Sequence, residues 1–371
     1  MGRDKEGMIT LRNIRAAIKV CFDSISNVFA KEEIVLISEG SDWVIHEECL
    51  VIKNYLESHR LASVRIATTS IGVRKKIVHF FSENTLVGPH GLRRKKKSNS
   101  FILSWFHISE ADAYRLGCIP LLNTEVDILH TAAEITEKKL IHYGCDPKKV
   151  VRIALDVNLN VFHPITQNEK TILQKQLGLP TDKILIGSFQ KDGNGWGEGL
   201  EPKRIKGPDI FCDVVENLAK HFPIHIVLTG PARGYIKNRL KKSGIPYSHR
   251  YINRYFQIAK YFQAIDLYLI TSREEGGPKA LLESMATGTP LVSTQVGMVP
   301  DIVRDGIDAF VVPVGDTRRI EERSRQLIQD ATLQASFRSH VLEKAPLYSS
   351  ENMADRFYKE LYAPLLAKLR S

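Results

Sequence analysis

Residues 271–294, T-S-R-E-E-G-G-P-K-A-L-L-E-S-M-A-T-G-T-P-L-V-S-T, constrain the fold more tightly than any other stretch of this chain. The run leading into them, D-L-Y-L-I-T at 266–271, is short and apolar, as a buried strand requires. Gly276 and Gly277 permit a sharp turn and a close approach of backbone to a ligand. Pro278 suits the first helical position, where a missing N–H costs nothing. K-A-L-L-E-S-M-A-T is helical in composition, Gly288 fits the stop, and Pro290 forbids continuation. Residues 291–294 open the next strand. A β-α-β unit results, with Glu275 in the loop at the carboxyl end of its strand and Glu283 one to two turns into the helix. Free N–H groups at such a helix start attract anions. Two carboxylates beside them repel a bare phosphate, so the loop suits a ligand that also carries hydroxyls, such as a sugar nucleotide.

The same alternation runs through the rest of the chain. Strands are expected at 33–37, 63–68, 76–81, 101–107, 124–129 and 150–155, with helices at 43–58 and 133–143. Periodicity lapses over N-L-N-V-F-H-P-I-T (158–166), which marks a domain boundary. The pattern restarts with a strand at 183–189, a glycine-rich loop at 190–202, a helix at 208–221 and a strand at 224–229. Helices at 233–242 and 255–264 precede the β-α-β unit. A strand at 309–313 and helices at 318–330, 331–344 and 352–369 complete the chain. Strands separated by helices imply parallel sheets with crossover helices. The expected division is a first domain at 1–163, a second at 164–348, and a tail helix at 349–371 that packs back on the first domain.

Residues 8–30 read as a helix carrying Leu11, Ile14, Ile18, Phe22, Ile25 and Phe29 on one stripe, with Arg12, Arg15 and Lys19 off it. Two readings stay open: a helix packed on its domain through the stripe, or one lying on a membrane surface. No apolar run reaches the ~18 residues of a membrane span. No signal-peptide pattern follows the N-terminus, and the five scattered cysteines fit a reducing cytosol. The net charge of +10 is densest at Arg93, Arg94, Lys95, Lys96 and Lys97. That run is either a solvated loop or a patch drawn to anionic lipid. Nucleic acid is disfavoured, because no aromatic residues interleave with the charges and no binding motif accompanies them.

Several side chains are candidates for chemistry. Two doubly wound sheets present ligands at the carboxyl ends of their strands. Lys206, in P-K-R-I-K-G-P-D, precedes a helix opened by Pro208, and is either one solvated lysine among three basic residues or a cation that meets a bound anion. His107 closes the run F-I-L-S-W-F-H, and His79 in I-V-H-F-F is a rival. Arg233, after T-G-P-A with Gly230, either reaches a nucleotide or covers its own helix. The sequence holds no Asp-x-Asp pair and no His/Cys cluster with ligand spacing, so neither a metal nor another cofactor is expected.

Together these motifs resemble a known family. E-x7-E from Glu275 to Glu283, followed by S-M-A-T-G-T-P, is similar to the signature of the retaining GT-B glycosyltransferases of family 4. V-G-M-V-P-D-I-V-R-D-G (296–306) is similar to that family's G-G-x-P-E-x-V-x-x-G, with Met298 and Asp301 replacing glycine and glutamate. I-A-L-D-V-N (153–158) departs from its I-P-x-G-V-D at Ala154, Asp156 and Asn158. The likeness covers roughly residues 125–315 well.

The resemblance implies an α/β GT-B fold of two facing Rossmann-like domains. It also implies a nucleotide-diphosphate sugar donor held mainly by the second. Glu283 would accept from the ribose hydroxyls and Glu275 would contact the donor sugar. Gly276, Gly277, Pro278 and Lys279 would line sugar and diphosphate. Lys206 matches the family's K-G lysine, Lys191 is the nearest substitute for its basic partner, and His107 matches a histidine beside the donor sugar. The acceptor, a saccharide or lipid-linked hydroxyl, would enter near Gly40 and Ser41. A sugar-nucleotide epimerase and a non-catalytic sugar-nucleotide-binding protein remain as alternatives.

Overall fold

The structure is a computed structural model that describes residues 3–39, 44–88, 91–92, 98–195, 197–252 and 254–371. Gly40 and Ser41, and the basic run from Arg93 to Lys97, lie outside the described residues. The chain packs as two compact units. One comprises Met1–Thr131, Thr136–Ile153 and Glu351–Ser371, the other Ala132–Ile135 and Ala154–Ser350.

The first unit opens with helix α1 (Arg3–Val28), strand β1 (Ile34–Ile37), helix α2 (Val44–Ser58) and strands β2 (Val64–Ala67) and β3 (Ile77–Phe80). A two-stranded ribbon, β4 (Val87–Gly88) with β5 (Gly91–Leu92), precedes β6 (Ser100–Ser104), β7 (Ile128–Thr131) and β8 (Val150–Arg152). The main sheet has the order β2-β1-β3-β6-β7-β8, and every pairing in it is parallel. I-V-L-I of β1 is apolar throughout because a parallel sheet is covered on both faces. Successive residues part to opposite faces. Val35, Ile37, Val78 and Phe80 join one core, while Ile34, Leu36 and Ile77 join the other. The C-terminal segment covers this second face through Phe357, Leu361 and Tyr362. That segment continues through Phe357–Tyr362 as a π-helical turn. Pro364 follows, and its missing N–H cannot complete an ordinary turn there.

A chain of polar groups runs through this core. His130 Nε2 lies 2.9 Å from the Ile153 carbonyl, which can only accept. His130 Nδ1 must therefore accept, from the Ser104 hydroxyl at 2.7 Å. Ser104 Oγ in turn accepts from His79 Nε2 at 2.8 Å, and His79 Nδ1 accepts from the Tyr362 hydroxyl at 2.7 Å. Every ring nitrogen has its partner, and both imidazoles are buried neutral. Burial holds His79 far below the usual histidine range and, against the Ile153 bond, takes His130 down to about 4.

The second unit holds β9 (Ile184–Ser188), β10 (Ile224–Thr229), β11 (Tyr247–Arg250), β12 (Leu267–Ile270), β13 (Leu291–Thr294) and β14 (Phe310–Val312). Their order is β11-β10-β9-β12-β13-β14, again all parallel. The chain winds outward from β9 in one direction and then from β12 in the other. The carboxyl ends of these two neighbours therefore form the topological switch point, where such sheets take ligands.

Four expectations change. T-E-V-D-I-L at 124–129 splits into a helical turn, Leu122–Glu125, and the start of β7, because Asp127 leaves its strand side to accept from the Phe101 N–H at 2.7 Å. Strand β6 ends at Ser104, so His107 lies beyond it in an irregular segment, where its carbonyl accepts from the Trp105 indole at 2.7 Å. Strand β11, Y-S-H-R, carries no apolar pattern because it is a half-exposed edge. Among the side chains of helix α1 that are described, which begin at residue 16, Asp23 and Asn27 are buried, while Ile18, Phe22 and Ile25 of the apolar stripe and Phe29 just beyond the helix are exposed.

Candidate donor site at the switch point of the second unit

The loops after β9 and β12 bring a cation and a carboxylate together. Lys206 Nζ lies 2.6 Å from Glu275 Oε2. The Ser272 hydroxyl donates to Glu275 Oε1 at 2.8 Å, so the carboxylate is oriented from both sides. These positions follow from a backbone clamp. Thr271 Oγ1 donates to the Gly207 carbonyl at 2.9 Å, and the Arg273 N–H donates to the Ile205 carbonyl at 2.7 Å. Gly207 has φ +62°, and a Cβ there would sit 1.9 Å from the Thr271 carbonyl oxygen. Only glycine lets the Lys206 turn rest on the end of β12. Arg273 adds a two-armed bond to Asp209 at 2.8 and 2.9 Å.

Gly297 closes the loop from the far side. Its φ is +50°, and a Cβ there would lie 2.7 Å from the Gly276 carbonyl oxygen. Gly277 is pressed against Leu155 and Ala132, with a hypothetical Cβ at 2.9 and 3.3 Å. The helix starts at Lys279 rather than at Pro278, which caps it with extended backbone, and it ends at Thr287 before Gly288 as the sequence predicts.

Glu283 points inward from the second turn of this helix and is buried. The Tyr255 hydroxyl donates to its Oε1. Burial pushes the Glu283 carboxyl up to about 7, against the pull of Tyr255 and Lys279. Lys279 Nζ lies 2.8 Å from Asp156 Oδ1, and Ser350 donates its hydroxyl to the same carboxylate. Burial opposes ionisation of Asp156, yet Lys279 outweighs it and holds the carboxyl below the usual range. The residue standing where the family pattern has glycine is thus the counter-charge of the helix that carries Glu283.

Lys203 is half-buried near the same cluster. Desolvation and the charge of Lys206 both lower its affinity for a proton. The charges of Glu275 and Glu274 act on Lys203 in the opposite sense, so cations and carboxylates are crowded together at the switch point. Lys191 is half-buried in the loop at 190–202, and Gly230 turns out of β10 with φ +82°.

Arg233 does not face this opening. It is buried, 3.1 Å from Asp192, and donates to the carbonyls of Gln190 and Thr229 and to the Ser188 hydroxyl. Asp192 is itself buried, and desolvation raises its carboxyl to about 6 despite the arginine. The pair pins the start of the glycine-rich loop to β10. His107 belongs to the first unit, and the rival His79 is enclosed in the polar chain of that unit.

Tyr255, Ser272, Lys203 and Asp156 were not singled out for the site from sequence. Asp156 alone left a trace, as a departure from the family pattern. Tyr255 and Ser272 lie outside the motif that holds their partners.

Two six-stranded parallel sheets with a tail segment on the first define a GT-B fold. Residues 200–343 match the glycosyl transferases group 1 family. It is 26% identical over 258 residues to a D-inositol 3-phosphate glycosyltransferase of Corynebacterium urealyticum, covering 66% of this chain and 57% of that protein. The chain therefore spans little more than half the length of that relative. It is 24% identical over 268 residues to the N-acetyl-alpha-D-glucosaminyl L-malate synthase of Bacillus anthracis, covering 65% of this chain and 66% of that one. The HepE structure of Anabaena in complex with UDP and glucose shares the fold, with TM-score 0.70 at 14% identity over 89% of this chain and 99% of that one.

Proposed function

We propose that the chain transfers a sugar from a nucleoside-diphosphate sugar to an acceptor hydroxyl with retention of anomeric configuration and no metal. The observation that carries this reading is the Lys206–Glu275 pair at the β9/β12 switch point, with Glu283 buried on the following helix. In this reading Glu283 accepts from the ribose hydroxyls and Glu275 from the donor sugar. Lys206 turns from Glu275 to the diphosphate. The bond from the anomeric carbon to the phosphate oxygen breaks, and Lys206 with Lys203 stabilises the charge that develops there. The acceptor oxygen bonds to the same carbon from the same face, and its proton passes to the departing phosphate oxygen. The acceptor is a saccharide or lipid-linked hydroxyl of cell-surface polysaccharide assembly. The enzyme works in the cytoplasm, and the basic run from Arg93 to Lys97 draws it to the inner face of the membrane.

A thermal-shift screen of nucleoside diphosphates and their sugar conjugates identifies the donor, because stabilisation rises as RT ln(1 + [L]/Kd). UDP conjugates are the first to try. Lys206→Ala and Glu275→Ala should then lose transfer by at least about 10²-fold in a fold that still unfolds cooperatively. Full transfer by both variants would overturn the reading, and turnover of donor without acceptor would make the protein an epimerase.

A further inference from the structure

Helix α1 is mounted with its polar side toward the first unit. Asp23 accepts from the N–H and the hydroxyl of Thr68 at 2.8 and 2.7 Å. Asn27 donates to the carbonyls of Thr69 and Ile71 at 2.8 and 3.0 Å. The helix comes so close to the following loop that a Cβ on Gly72 would lie 2.5 Å from the Ser24 carbonyl oxygen. Docking is therefore specific, and it turns the apolar stripe outward. Ile18, Phe22, Ile25 and Phe29 are 62, 67, 66 and 77% exposed, and Val28 and Ile71 beside them are 63 and 56% exposed. Scattered surface apolar residues are ordinary, but a contiguous stripe of this kind marks an interaction surface.

We propose that this face of α1 docks on an anionic lipid bilayer. The charge around the stripe selects that occupant. Lys19 on the helix, Lys31 just past Phe29, and Arg74 and Lys75 in the loop touching Ser24 are all exposed. The acid Glu32 is half-buried among them. An apolar stripe rimmed by cations places its rings and branched chains at the level of the lipid headgroups while its charges meet the anionic ones. A second copy of the chain would instead bring like charges face to face. No helix among the described residues is long and apolar enough to cross a membrane, so α1 lies along the surface.

The test uses the whole protein and needs no donor or acceptor, so its outcome is independent of the transferase reading. Cys21 on α1 is exposed while Cys49, Cys118, Cys145 and Cys212 are buried, so an environment-sensitive fluorophore can be placed at Cys21 alone. Vesicles of phosphatidylcholine containing phosphatidylglycerol should shift its emission to the blue and carry the protein down on sedimentation. Vesicles of phosphatidylcholine alone should do so weakly, and added salt should weaken binding to the anionic vesicles only. Phe22→Ala with Phe29→Ala should lower the partition constant at least about tenfold, since each ring loses its transfer from water. Thermal unfolding of that variant should match the parent, because both rings are exposed in the fold. Equal partitioning of parent and variant would overturn the proposal. So would failure to bind either vesicle, or a dimer in solution that the same two substitutions dissociate.

Discussion

Each unit buries a polar network beside its sheet, and the two are built on opposite terms. In the first unit, Tyr362, His79, Ser104 and His130 hand hydrogen bonds in one direction to the Ile153 carbonyl, with no net charge. In the second, Lys206, Glu275 and Ser272 meet at a switch point, and Glu283 is buried behind them with Tyr255. A closed neutral chain specifies one packing and leaves nothing for a ligand to complete. Crowded charges at the carboxyl ends of strands can be rearranged by a ligand that brings its own anion and hydroxyls. The surroundings of a polar group, and not its residue type, decide whether it is closed into the core as His79 and His130 are.

The largest expected effect falls on the open network. Lys206→Ala or Glu275→Ala should lower kcat/KM by roughly 10²–10³-fold, as loss of one stabilising group at a charged transition state does. The unfolding midpoint should also fall, since the pair is only 18 and 9% exposed and either change leaves a largely buried charge unpaired. Loss of activity without a change in donor binding or cooperative unfolding would erase the distinction between the networks.

Glu283 and the buried histidines should also respond to pH with opposite signs. The Glu283 carboxyl rises from 4.5 to about 7 in the fold, so the folded state holds a proton that the unfolded chain has released. Its contribution is full below pH 4.5 and is lost as the pH climbs through 7, about 3 kcal/mol in all. Asp192, raised to about 6, acts in the same direction. Glu283→Gln should flatten most of this decline in chemical denaturation between pH 5 and pH 7.5, leaving the Asp192 share. The buried histidines run the other way. His130 falls from 6.5 to about 4, so its contribution is present above 6.5 and is lost as the pH falls toward 4.

Tyr362→Phe should cost about 1–3 kcal/mol, because His79 Nδ1 loses its donor inside the core. Nucleotide affinity should be unchanged, which calorimetry on the variant can check. Ser272→Ala is the mildest test. It should cost about 1 kcal/mol or less in stability and loosen Glu275 enough to raise KM more than it lowers kcat. An equal fall in both networks' readouts would show that they act as one.

Local pattern made most of the elements legible. The I-H-I-V-L-T strand at 224–229 and the helix at 331–344 occupy the residues expected of them. Apolar runs bounded by glycine and proline carry their own instructions. The edge strand Tyr247–Arg250 was invisible because half of it faces water, and the split at 124–129 because Asp127 is placed by a contact to Phe101. Within the site, Glu275, Glu283 and Lys206 stand out in their local motifs, but the direct contact of Lys206 with Glu275 joins two loops that the sequence does not connect. Arg233 was expected either at the nucleotide or over its own helix. It is buried with Asp192, a residue in a different loop.

By itself the sequence determined that strands and helices alternate, where one pattern lapses and restarts, and that two glutamates stand with seven residues between them across a glycine turn. Those properties depend on near neighbours in the chain. Tertiary structure alone decided that Asp156 balances Lys279, that Tyr255 meets Glu283, and that α1 turns its polar side inward. Each joins groups far apart in sequence, and burial sets their charge, so no local window could contain the answer.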